Sequence, residues 1–198
     1  VLNDPEPDTV NGAAPSGQEV LMGQELTLRT RITSFSSGTV DDEASVGFLF
    51  GLNGDGDSTA DGFLATVVRI PGGTANDSIL RVNTFTDGAR AGELNSATGF
   101  EFGTDDFLEL VVSGTTYELN LIPDSEITGS GNDTNRLVSA DFDTATPRAT
   151  LTGSLSGYEA GWVGIYFEDT GAAHGIVNLG NFYADLVIPP AGTVVSIK

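Results

Sequence analysis

Phe107-Leu-Glu-Leu-Val-Val-Ser-Gly-Thr-Thr-Tyr-Glu-Leu-Asn-Leu-Ile122 holds two short runs of leucine, β-branched and aromatic residues. Between them Val111 to Tyr117 reads as a tight β-hairpin with Ser113-Gly114 in its turn. The same grammar extends outward in both directions. Upstream, Leu26-Thr-Leu-Arg-Thr-Arg-Ile32 alternates apolar and polar residues as a half-buried strand should. Val46, Phe48 and Phe50 share one face of the next run, and Phe63 to Ile70 and Ile79 to Phe85 follow. Downstream, Trp162 to Glu168 and Ile176 to Ile188 are expected to form a final long hairpin. There are 26 glycines, and no apolar stripe recurs at helical spacing. About ten strands at this spacing predict an all-β fold, a two-sheet antiparallel jelly-roll sandwich.

The chain divides into three parts. Residues 1–19 form an extended, Pro-rich N-terminal segment, residues 20–188 the sandwich, and residues 189–198 a C-terminal linker with one further strand-like run, Thr193-Val-Val-Ser-Ile197. At 198 residues a single core is large enough to need no staple, in keeping with the absence of cysteine. The start at Val1 rather than Met reads as a processed, mature, secreted product.

Charge narrows the partners. Eight basic residues, seven of them Arg, face 28 acidic ones, for a net charge of −20 and a pI near 4.1. Such a field repels phosphate backbones and anionic lipid surfaces, so nucleic acid is disfavoured. No apolar stretch approaches the length of a membrane span, so membrane insertion is not expected. Cations, neutral glycans and protein surfaces remain.

From about residue 20 to 188 the order of elements resembles the concanavalin A-like (laminin-G-like) jelly roll of bacterial secreted proteins. The resemblance is carried by Val46-Gly-Phe-Leu-Phe50, Gly62-Phe-Leu-Ala-Thr-Val67, Leu80-Arg-Val82, Phe107 to Val112, Tyr117 to Leu121, Gly161-Trp-Val-Gly-Ile-Tyr166 and Val177-Asn-Leu-Gly-Asn-Phe182. It implies a fold shared by glycanases, lectins, carbohydrate-binding modules and structural adhesion domains, and it does not choose among them. The glycanases of this fold carry a Glu-x-Asp-x-x-Glu strand, whose two carboxylates sit about 5 Å apart. Here Glu101 is followed only by Asp105 and Asp106, without that alternation. The single histidine, His174, lies in a turn with no assignable partner. No catalytic residue is assigned, and the chain is read as a non-enzyme.

Asn53-Gly-Asp-Gly-Asp-Ser-Thr-Ala-Asp61 is the strongest chemical signal. Asn53, Asp55, Asp57, Thr59 and Asp61 place oxygen-bearing side chains at every second position, and glycines let the backbone curl around a centre. Hard cations want six to eight such oxygens, so calcium is the expected cofactor. The loop is not an EF-hand, because the twelfth residue from Asn53 or Asp55 is Leu64 or Thr66 rather than Glu. The plain alternative is a solvated acidic loop whose Asp and Gly residues serve turns. Asp105, Asp106, Asp141 and Asp143 are weaker candidates for a second site.

On the aromatic strand, Trp162, Tyr166 and Glu168 share one face while Val163, Ile165 and Phe167 should point into the core. The first set can form a stacking platform for a neutral glycan. The termini offer a different chemistry: Val1 and Leu2 at one end, and Val194, Val195 and Ile197 at the other, can add a strand to the sheet edge of a second copy. Head-to-tail exchange of this kind generates open filaments. The expected function is therefore an extracellular, calcium-stabilised structural subunit that assembles through its terminal segments into a filament or cell-surface layer, with a role such as adhesion. The alternative is a lectin-like carbohydrate-binding module.

Overall fold

A computed structural model of the chain describes residues 25–36, 43–53, 59–69, 78–128, 133–158, 161–169 and 176–186. Ten strands run through them: β1 (Glu25–Ser36), β2 (Ala44–Leu52), β3 (Gly62–Arg69), β4 (Ser78–Thr86), β5 (Ala89–Phe100), β6 (Phe107–Ser113), β7 (Thr116–Ile122), β8 (Ala149–Ser154), β9 (Trp162–Asp169) and β10 (Ile176–Leu186). They form two five-stranded antiparallel sheets, ordered β10-β1-β6-β7-β8 and β5-β4-β3-β2-β9. Packed face to face, these make the expected all-β sandwich, an arrangement consistent with a jelly roll.

Period-two alternation decides which residues meet between the sheets. Leu26, Leu28 and Ile32 of β1, Leu108, Leu110 and Val112 of β6, and Leu119 and Leu121 of β7 face inward from the first sheet. Opposite them stand Val46, Phe48 and Phe50 of β2 and Phe63, Ala65 and Val67 of β3. Phe48 and Phe50 are completely buried, and each contributes about 1.5–3 kcal/mol relative to exposure.

The outer face of the first sheet has its own cover. The connection from β7 to β8 holds a short helix, α1 (Asp133–Leu137), and two single-turn 3₁₀ segments at Asp124–Glu126 and Ala140–Asp143. It lays Ile127, Leu137 and Phe142 over Phe107 and Ile122. Helical periodicity gave no hint of these pieces because they are one turn each. Beneath the cover, Arg29 Nε donates to Glu109 Oε2 at 2.6 Å, and its guanidinium carbon lies 4.0 Å from the Phe142 ring centre.

Turn chemistry sets the registers. The β6–β7 hairpin is present, with Ser113 paired to Thr116. Its two loop residues are therefore Gly114 and Thr115, one position beyond the expected Ser113-Gly114. Gly114 has φ +59°, as the first position of a II′ turn requires. At the β4–β5 hairpin Asp87 and Gly88 have φ +50° and +72°, the I′ pattern of an Asp-Gly turn.

The expected final hairpin is corrected. β9 pairs with β2 in one sheet and β10 with β1 in the other, so the two strands do not form a hairpin. Consecutive strands often pair, but here each extends a different sheet edge. β5 and β8, two edge strands, were not expected at all.

Candidate functional site

Three features singled out by the sequence can be placed. The acidic loop joins paired strands β2 and β3. Asp55 and Asp57 lie outside the described residues; Asn53, Thr59 and Asp61 lie within them. The loop base is tied shut: Asp61 N–H donates to Asn53 Oδ1 at 2.8 Å and Asn53 N–H to the Asp61 carbonyl at 2.9 Å. Asp61 Oδ1 also accepts the Asp87 N–H at 3.0 Å, fastening the β4–β5 turn to this loop. Both side chains thus serve turn backbone.

The second acidic set is dispersed. Asp106 is buried and accepts from Arg148 Nε at 2.9 Å and from Gly103 N–H at 2.8 Å. Burial is the largest influence on its carboxyl and raises its pKa, against the lowering pull of Arg148 and Gly103. Asp105 pairs with Arg31 at 3.2 Å, and Asp141 Oδ2 accepts the Thr128 N–H at 2.8 Å. Among the described residues no three His, Asp or Glu side chains converge as metal ligands.

Trp162, Tyr166 and Glu168 share the outer face of β9, as alternation predicts. Trp162 and Tyr166 are part-buried against Leu49, Leu52, Ala60, Leu64 and Phe85. Phe85 of β4 and Tyr166 of β9 are separated by β3 and β2, about 14 Å at normal strand spacing. Their ring centres nevertheless lie 6.2 Å apart, edge to face, so the two side chains lean toward each other over β3 and β2. Burial first, and then Glu168 beside it, raise the Tyr166 phenol well above its usual pKa, with Arg90 pulling the other way.

Glu168 is engaged in an ion-pair chain that sequence reading missed. Arg90 Nε lies 3.1 Å from Glu168 Oε2, Arg81 Nε lies 3.1 Å from Glu93 Oε2, and Glu43 Oε2 lies 3.3 Å from Arg81 Nη1. Thr66 Oγ1 and Asn83 Oδ1 are buried on this face without hydrogen-bond partners. The available signal was the outward register of Arg81 and Asn83 on β4, alternating with the apolar inward residues Leu80 and Val82.

Sequence reading also missed a seam. Among the described residues, β9 and β10 are the edge strands at one flank of the sandwich. Val163 and Ile165 of β9 and Val177, Leu179, Phe182 and Ala184 of β10 pack on the core but are only partly buried. Phe182 reaches across to Phe48, ring centres 5.9 Å apart. Phe167, expected in the core with Val163 and Ile165, is instead 45% exposed. Its register opposite the buried Val46 is preserved, two residues from the end of β9.

The assembly candidates Val1, Leu2, Val194, Val195 and Ile197 lie outside the described residues, as does His174. No helix of the described residues is long and apolar enough to cross a membrane. Comparison with protein families, curated proteins and solved structures finds no significant match to this chain.

Proposed function

We propose that this chain is a non-catalytic, secreted structural subunit on a concanavalin A-like jelly roll, which self-associates by strand addition into a filament or cell-surface assembly. The observation that carries the reading is the apolar seam between β9 and β10, where six core-packed side chains remain partly exposed and Phe167 is 45% exposed. Sheet edges with unpaired N–H and C=O groups beside such a seam are templates for another chain's strand. Calcium held by the Asn53 to Asp61 loop would stiffen the β2–β3 end of the domain and offset part of its negative charge. Static light scattering of the purified chain in calcium-containing buffer tests the assembly. A mass many times the 20.5 kDa monomer is expected, and a monodisperse monomer would refute it.

A second reading is favoured by a different observation, the gathering of Trp162, Tyr166 and Phe85 on one sheet face. Under it the chain is a lectin-like module that stacks a neutral sugar on these rings. Trp162→Ala should then lower affinity in a glycan screen by roughly tenfold or more; an unchanged affinity argues against it.

A further inference from the structure

We infer that the strand entering the seam is the C-terminal run Thr193–Ile197 of a second copy, added to the outer edge of β9; this rests on the assembly reading above. Three observations converge on it.

The first is the acceptor edge. β9 pairs with β2 without interruption from Gly164 to Asp169, so its other edge is a regular ladder of six residues. β10, the opposite lip, carries two register shifts against β1, near Ile32. Bulges bend a strand and spoil its edge for further pairing, so β9 is the better acceptor.

The second is the donor's composition. Thr193, Val195 and Ile197 fall on one face of an extended chain and Val194, Ser196 and Lys198 on the other. The five residues of the run are free of Pro and Gly, four of them β-branched, and span about 17 Å. That length matches the regular part of β9. At the other terminus Pro5, Pro7 and Pro15 lack the N–H groups a ladder needs.

Charge supplies the third. Residues 1–24 contain four acidic and no basic side chains, whereas residues 187–198 contain no acidic residue and the chain's only lysine, Lys198. Docking against a subunit of net charge −20 is therefore repulsive for the first segment and free of side-chain repulsion for the second. Pro189-Pro190 also bears on whose seam is filled. A proline at the third position of a tight turn forces the preceding residue out of the helical region, so this dipeptide disfavours a tight hairpin back onto β10 of the same chain.

The test compares assembly of the full chain with that of a chain lacking residues 189–198, one lacking residues 1–17, and the full-length double variant Val195→Asp/Ile197→Asp. The double variant guards against a truncation that merely disturbs folding, checked by retention of the β-type circular dichroism spectrum. We expect the first truncation to be monomeric, the second to assemble, and the double variant to need at least roughly tenfold more protein to assemble. A peptide of residues 189–198 should bind the monomeric truncation saturably, and Phe167→Asp should weaken that binding. If loss of residues 189–198 leaves assembly intact while loss of residues 1–17 abolishes it, the donor is wrong and the assembly reading stands. If the full chain is a monomer, the assembly reading itself fails, and peptide binding to the truncated chain would then mean self-docking, which also overturns the inference.

Discussion

Removing the carboxylate of Glu109 should be the most damaging single change on the covered face of the first sheet. Glu109 is 5% exposed and holds Arg29 Nε at 2.6 Å, while its other oxygen accepts Asn120 Nδ2 at 3.3 Å. Asn120 in turn accepts the Thr150 hydroxyl at 2.7 Å, so the carboxylate joins β1, β6, β7 and β8 in one polar chain. Glu109→Ala leaves the Arg29 guanidinium beneath the β7–β8 cover with the Leu137 carbonyl at 3.1 Å and the Phe142 ring, but without its counter-charge. Breaking a buried pair from one side costs about 3–5 kcal/mol. For a domain of this size that corresponds to a fall in Tm of roughly 6–20 °C. The double variant Arg29→Met/Glu109→Leu removes both charges and should recover most of the loss, because the attraction of the pair does little more than offset its own desolvation. Urea unfolding followed by circular dichroism reads both variants. A loss under about 1 kcal/mol for Glu109→Ala, or a double variant no more stable than the single, would refute this account of the buried pair.

Other outcomes follow from equally local geometry. A Cβ on Gly47 would run into the Ala65 carbonyl oxygen and come within 2.7 Å of the Thr66 Cα, both backbone atoms of the paired strand. Gly47→Ala should therefore cost about 3 kcal/mol or more in urea unfolding, and a near-neutral effect would show that β2 and β3 can part without penalty. Burial raises the pKa of Asp106 above 3.8. Its stabilising contribution is thus fully present below pH 3.8 and lost as pH rises through the elevated native value. The stability difference between wild type and Asp106→Asn should accordingly shrink or turn negative as pH rises from about 4 to 7, and growth with pH would contradict the sign. Asp61→Ala removes the acceptor for the Asp87 N–H; a loss of about 1 kcal/mol is expected. If calcium binds the loop, that variant should also lose the rise in Tm that calcium gives the wild type, whereas a wild-type Tm indifferent to calcium would exclude a stabilising site.

How far the fold was legible depends on where a strand sits. β2 and β3 announce themselves because Val46, Phe48, Phe50, Phe63 and Val67 are packed between two sheets, and burial selects their residue types. β5 carries Arg90, Glu93, Asn95 and Ser96, and is exposed along most of its length; an edge strand with a wet face has no apolar alternation to read. Its one local signal was the Asp87-Gly88 turn. β8 places only Leu151 in the core, too little for a periodicity. The β9–β10 error has another origin. Apolar runs specify that a strand is buried but not which sheet buries it, and that choice is made by β1 and β2 from the far end of the chain. The shared face of Trp162, Tyr166 and Glu168 was legible from period two alone. The contact between Phe85 and Tyr166, and the Arg81 and Arg90 pairs beside them, depend on long-range register between strands.

The two flanks of the sandwich differ in a way that bears on assembly. At the β5/β8 flank the sheets approach closely, and Asn95 Nδ2 donates to the Thr152 carbonyl at 2.9 Å across the gap. Tyr117 lies over Gly153, filling the space a side chain would take. β5 is further protected by three register shifts against β4 and by the charges of Arg90 and Glu93. These are the means by which natural sheets blunt an edge: bulges, charge and closure. At the β9/β10 flank the described residues show no comparable run of close approach between the two strands. β9 is regular there and offers Phe167 to solvent. Among the described residues one flank is thus closed by contact between the sheets, while at the other a regular β9 stands beside part-exposed apolar side chains, on a chain that otherwise carries a net charge of −20. General solubility would select for blunting both edges alike. The difference is accounted for if the β9 edge is kept open for a strand, and that strand must be one the chain's own negative field does not repel.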